Sequence, residues 1–171
     1  MSKFRKRPTE PAPKGFVAAV WRRREPILWA LLVVFAVATQ WPMLKGWYYR
    51  AAGTPEPPNG IHWQTNFQTA LDRAKARHSL VLVDFSATWC PPCLAMKHDV
   101  WPNADVTALV KKSFVPVSID IDHDNGLSGM YNVSGIPAVL VLDASGRVLR
   151  RHDGYLPVGG MLQFLDPANA N

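Results

Sequence analysis

Apolar and polar positions fall into distinct regimes along this chain. Ile27-Leu28-Trp29-Ala30-Leu31-Leu32-Val33-Val34-Phe35-Ala36-Val37-Ala38 is unbroken apolar sequence, and the uncharged run continues to Leu44. At 18 residues it is near the lower limit for a membrane-crossing helix, roughly 20 residues. Trp41, Trp47, Tyr48 and Tyr49 then stand where an interfacial aromatic belt is expected. Ala51 to Gly60 carries Pro55, Pro57 and Pro58. That composition predicts an extended, semi-rigid linker that holds the C-terminal part of the chain off the membrane surface.

From Thr65 the pattern becomes periodic. Thr65-x-x-Gln68 is a capping-box pattern. Phe67, Ala70, Leu71 and Ala74 recur at helical spacing, with Asp72, Arg73, Lys75 and Arg77 on the other face. Leu80 to Ala87 reads as a strand. A helix begins near Cys90 and ends before Pro102. Another spans Asn103 to Lys112, with Asp105 early and Lys111-Lys112 late, as the helix dipole favours. Phe114 to Ile121 reads as a strand and Asn125 to Tyr131 as a short helix. Ala138 to Leu142 and Val148 to Arg151 form a hairpin around Asp143-Ala144-Ser145-Gly146. The last helix, Val158 to Leu165, contains Gly159 and Gly160 and is stopped by Pro167.

Strands alternating with helices, then a hairpin, predict an α/β domain with a mixed sheet flanked by helices on both faces. Short apolar strands suit central positions buried on both sides. The chain then divides into a basic segment (1–26), an apolar anchor (27–49), a proline-rich linker (50–60) and a folded domain (61–171). About 110 residues suffice for one core. There are no internal repeats.

Charge sharpens the division. Residues 1–26 hold eight Lys/Arg against Glu10 and Glu25, which accounts for the whole +6 of the chain; residues 27–171 are balanced. No basic stripe exists in the domain, so a nucleic-acid partner is not expected. Eight basic residues precede the apolar run and only Lys45 and Arg50 follow closely. The positive-inside rule predicts a single-pass inner-membrane protein, N-terminus cytoplasmic and domain periplasmic or otherwise extracytoplasmic. A cleaved signal peptide is the alternative, with Ala36-Val37-Ala38 as an A-x-A site. The long basic region and the continuing apolar sequence favour an uncleaved anchor. Arg22-Arg23 is a weak twin-arginine pattern. Either route leads to an oxidising compartment.

The two cysteines of the 171 residues lie in Trp89-Cys90-Pro91-Pro92-Cys93. The apolar run Leu80-Val81-Leu82-Val83-Asp84-Phe85 places Cys90 at a strand-to-helix junction. There the unpaired N–H groups and the positive end of the helix dipole stabilise a thiolate, the form that attacks a disulfide. Pro91 and Pro92 fit a first turn, where a missing N–H costs little. This order predicts an exposed Cys90 and a shielded Cys93. Half of a zinc site is an alternative, but structural zinc usually takes four ligands, and neither His98 nor His123 has the usual spacing. A purely structural disulfide is another. Asp84 in an apolar strand would be costly as an unpaired carboxylate, and burial should raise its pKa.

Val83-Asp84-Phe85, Trp89-Cys90-x-x-Cys93 and Gly135-Ile136-Pro137, in this order and at these distances, resemble the thioredoxin superfamily over roughly Ile61 to Asp166. The resemblance implies a thioredoxin-like fold and disulfide exchange at Cys90 and Cys93. It implies that Asp84 takes up the Cys93 proton, a plain structural carboxylate being the alternative. The family's usual lysine on the next strand is replaced, by spacing, with Ser118. Pro137 is expected to be cis, with the backbone of Ile136 pairing with substrate. Trp89, Pro91 and Pro92 complete the substrate surface, Trp89 covering the sulfurs or packing in the core. His98 reads as a polar surface residue. Phe85 to Cys90 and Val100 to Val106 look most like the periplasmic C-terminal domain of membrane thiol-disulfide interchange reductases.

The expected function is therefore a membrane-anchored disulfide reductase acting on protein disulfides. It needs no metal or organic cofactor, and a separate redox partner must recycle the cysteines. An oxidant is the alternative in direction, since C-x-x-C potentials span on the order of 150 mV. A non-catalytic binding module is the alternative in class.

Overall fold

The computed structural model describes residues 16–124 and 126–166, with side chains from residue 26 onward. The basic side chains up to Arg24, the helix start at Asn125 and the stop at Pro167 lie outside these residues. The chain forms two units, residues 1–40 and 41–171.

The first unit contributes helix α1 (Phe16–Thr39), whose described apolar side chains, Ile27 to Phe35 among them, are exposed. Helix α2 (Trp41–Ala52) opens the second unit. Among the described residues no single helix is long and apolar enough to cross a membrane. The anchor expected over 27–49 is thus divided at Gln40, and the two helices meet a span's length and composition only as a broken pair. The break has a local cause. Pro42 has no N–H to continue α1 and its ring would meet the preceding turn, whereas near the start of α2 it is tolerated.

The rest of the second unit runs α3 (Phe67–Arg77), β1 (Leu80–Ser86), α4 (Pro91–Asp99), α5 (Ala104–Ser113), β2 (Phe114–Asp120), α6 (Leu127–Met130), β3 (Ala138–Leu142), β4 (Val148–Asp153) and α7 (Val158–Leu165). The sheet order is β2-β1-β3-β4, with β1 parallel to β2 and the other pairs antiparallel. This is the expected mixed sheet. Gln64 adds one bridge beside β2, where its backbone accepts from Ser118 and donates to Pro116. β1 and β3 are central and buried on both faces, which explains their continuous apolar sequence. Leu82, Val139 and Val141 pack with Met96, Val106 and Met161 on the side of α4, α5 and α7. Val81, Val83, Phe85 and Leu140 pack with Ala70 and Ala74 of α3 on the other side.

Two local expectations shift. The cap of α3 is Asn66, not Thr65; the Asn66 side chain accepts from the Thr69 N–H at 2.8 Å. The proline-rich segment also lies on the domain instead of standing away from it. Glu56 pairs with Lys97 at 3.1 Å, and the Asn59 carbonyl accepts from the Thr107 hydroxyl at 3.0 Å.

Candidate active site

β1 delivers the chain to Cys90, which is the N-cap of α4; Pro91 and Pro92 occupy the first helical positions. The Cys93 N–H donates to Cys90 Sγ at 3.3 Å, and the two sulfurs form a disulfide at 2.06 Å. Ala87 is buried with the pair, and Ile121 and Ile136 pack against it. The sequence places the sulfurs here because only a helix start brings residues three apart to bonding range while leaving N–H groups free.

The expected difference in access is absent from the disulfide form. Cys90 is 2% exposed and Cys93 1%. Ile121 and Ile136 close one side, and α2 lies across the first turn of α4.

Asp84 shares the β1 face of Leu82, turned toward α4, and is 3% exposed. Burial pushes its carboxyl up to about 7; the Lys97 charge opposes this rise, and Glu56 adds to it. The buried Trp101 indole N–H points toward this carboxyl but does not complete a hydrogen bond of good geometry. Ser118 is the register partner of Asp84, as its spacing indicated. The Ile136–Pro137 peptide is cis, also as expected. The Pro137 carbonyl accepts from the Gly154 N–H at 2.7 Å, which ties this loop to the end of β4.

Trp89 is not packed in the core. It is 48% exposed, and its indole N–H donates to Asp122 at 2.8 Å. His98 is not a free surface residue either: its ring stacks on Tyr49 at 4.0 Å. His123 sits beside Asp120, at 3.7 Å. Neither histidine joins the cysteines, and among the described residues no three metal-ligating side chains converge.

The role of α2 is not anticipated by the sequence pattern. The helix packs on α4 through Gly46, where a Cβ would overlap the Pro91 carbonyl. Lys45 pairs with Asp99 at 2.6 Å, Tyr49 donates to the same carboxylate at 2.8 Å, and Arg50 donates to the Trp89 carbonyl at 3.1 Å. One signal was present: Lys45 with Tyr49, and Gly46 with Arg50, are both i,i+4 pairs and define one helix face at the end of the apolar run.

A groove of about 670 Å³ is lined by Phe67, Leu71, Asp120, Asp124 and Tyr131, away from the sulfurs. The cysteines instead are buried with Ala87 against Ile121 and Ile136, and Trp89, exposed, directly precedes Cys90.

A family model described as a thioredoxin-like domain matches residues 67–169, more than half of the chain. The chain is 30% identical over 95 residues to a thioredoxin of Mycoplasmoides gallisepticum, with 56% of this chain and 90% of that protein covered. It is 33% identical over 102 residues to the thiol:disulfide interchange protein DsbD of a Pseudomonas species, covering 56% of this chain but only 18% of that protein. Among solved structures, a thioredoxin from Thermus thermophilus superposes with a TM-score of 0.56 at 28% identity, covering 61% of this chain and 84% of that one.

Proposed function

We propose that this chain, which belongs to the thioredoxin-like domain family, reduces protein disulfides outside the cytoplasmic membrane by exchange at Cys90 and Cys93. The observation that carries the reading is the placement of Cys90 as N-cap of α4, bonded to Cys93, with the buried carboxyl of Asp84 beneath the same helix.

The cycle starts from the dithiol form. The Cys90 thiolate attacks one sulfur of a substrate disulfide; that S–S bond breaks and one substrate sulfur leaves as a thiolate. Asp84, neutral below about 7 and ionised above it, is poised to accept the Cys93 proton near neutral pH. The Cys93 thiolate then attacks Cys90 Sγ, and the second substrate sulfur leaves. The substrate has gained two electrons and the chain holds the Cys90–Cys93 disulfide. A separate dithiol protein reduces it again. Trp89, Pro91, Pro92 and the Ile136–Pro137 backbone form the surface that receives the substrate strand. No metal or organic cofactor enters these steps.

Tethering to the inner membrane is supported by the eight-to-two charge asymmetry and by the exposed apolar side chains of α1. The reductive direction is supported by the resemblance of Phe85 to Cys90 and Val100 to Val106 to the periplasmic domain of membrane thiol-disulfide interchange reductases.

The burial of Cys90 favours a second reading, a binding module whose disulfide is inert. Turnover of a model protein disulfide by the full chain, driven by a small dithiol, separates the two. Turnover that is lost in Cys90→Ala supports the enzyme; a wild type without turnover selects the module. A potential near about −270 mV supports the reductase, and one near about −120 mV makes it an oxidant.

A further inference from the structure

Arg50 closes the last turn of α2, and its Nη1 donates to the Trp89 carbonyl at 3.1 Å. Its guanidinium lies 5.8 Å from the centre of the Trp47 ring. The side chain is thus held between an aromatic face on its own helix and the peptide that enters Cys90. α2 can bring it there because Gly46 lets the two helix backbones meet at Pro91. A glycine inside a helix is unfavourable relative to alanine, and here the close approach requires it.

We propose that Arg50 is a positioning residue of the redox site: docked α2 holds its guanidinium on the Trp89–Cys90 peptide, where the positive charge favours the Cys90 thiolate. The Trp89 carbonyl belongs to the peptide that carries Cys90 and bears partial negative charge. The guanidinium offsets that charge and adds a full positive one.

The neighbouring ionisable groups leave this role to Arg50. On α2 itself, Lys45 is paired with Asp99 of α4, and His98 of α4 stacks on Tyr49. Lys97 of α4 is paired with Glu56. Asp84 approaches from β1, and Asp122, after β2, is hydrogen-bonded to the Trp89 indole. Both carboxylates oppose a thiolate. Arg50 forms no ion pair among the described residues, so its charge is uncompensated at the helix N-terminus.

The proposal rests on exchange at Cys90, but its test does not require turnover. In the full chain with Cys93→Ala, the rate of Cys90 alkylation by iodoacetamide is followed against pH. The midpoint reads stabilisation of the thiolate, and the plateau at high pH reads the access and intrinsic nucleophilicity of the thiolate together. Arg50→Gln is expected to move the midpoint upward, leaving about threefold less thiolate below it, the size of one partly screened charge pair. Arg50→Lys keeps the charge and stays closer to wild type. Gly46→Val lifts α2 from Pro91 and reproduces the Arg50→Gln midpoint. A midpoint unchanged in Arg50→Gln, an equal shift in Arg50→Lys, or a wild-type midpoint in Gly46→Val overturns the proposal. If the wild type turns over no disulfide yet these shifts appear, the enzyme reading fails and the role of Arg50 stands.

Discussion

Asp84 of β1 stands directly opposite Ser118 of β2 in a parallel register. Both residues present their side chains to the same face of the sheet. The nearest cation of note is therefore not on the neighbouring strand. It is Lys97, on the helix above, and Lys97 is shared with Glu56. Asp84 keeps a pKa of about 7 because burial outweighs this divided charge.

A cation placed at the register position should reverse that balance. Ser118→Lys is expected to lower the Asp84 pKa and to move the pH dependence of mixed-disulfide resolution to lower pH. Rapid-quench measurement of resolution from about pH 5 to about pH 9 spans the ordinary carboxylate-to-thiol range and checks this. An unmoved profile would show that Asp84 does not take the Cys93 proton.

Asp84 also makes stability depend on pH. Its folded pKa is raised from 3.8 to about 7, so the folded state binds more protons than the unfolded state between those values. The contribution to stability is fully present below the unfolded pKa and is lost as pH rises through the folded one. Asp84→Asn should remove this slope. The variant is expected to be more stable than the wild type at about pH 8, by on the order of a few kcal/mol, with the gap closing toward about pH 4. Urea unfolding of the oxidised protein at both pH values measures it; a constant gap would contradict the burial argument.

Cys93→Ala should trap substrates, whereas Cys90→Ala should not. With Cys90 intact the client disulfide still opens and joins the chain, but no neighbouring thiolate resolves the bond. A non-reducing gel of cells expressing each variant shows reductant-sensitive bands of higher mass only for Cys93→Ala. Trapped disulfide isomerases or cytochrome-assembly proteins would favour the reductive direction, and newly secreted unfolded proteins the oxidative one. Equal banding from both variants would remove Cys90 as the nucleophile.

Topology is open to a direct test. Reporters active on only one side of the membrane, fused after Asn171, should be active outside the cytoplasm, from the charge asymmetry of residues 1–26 and the two basic residues beyond the apolar run. Cytoplasmic activity would overturn the proposed location while leaving the redox chemistry intact.

The Cys90–Cys93 disulfide at the start of α4 was legible because its signals are local. An apolar β-branched run ending at Ala87, two prolines able to start a helix and two cysteines three apart specify a strand, a junction and a first turn within about fifteen residues. Strand β3 and helix α7 were legible for the same reason; the Asp84–Ser118 pairing, between strands far apart in sequence, was legible only through the spacing of the family pattern. The cap at Asn66 was missed because Thr65 carries an equally good local signal, and only the backbone at Asn66 decided between them.

The helices and strands of the domain, and the place of Cys90 and Cys93 among them, could be read from sequence because periodicity, capping and turn chemistry act between near neighbours. Residues 41–60 obey a different logic, and long-range packing set their fate. Apolar and aromatic composition made α2 look like the end of a membrane span, and proline made the next segment look like a spacer. Lys45, Gly46, Tyr49 and Arg50 instead meet partners some forty to fifty residues away, and Glu56 meets Lys97. Close helix approach, a shared carboxylate and the burial of Cys90 depend on which distant surfaces come together. No short window of sequence records that.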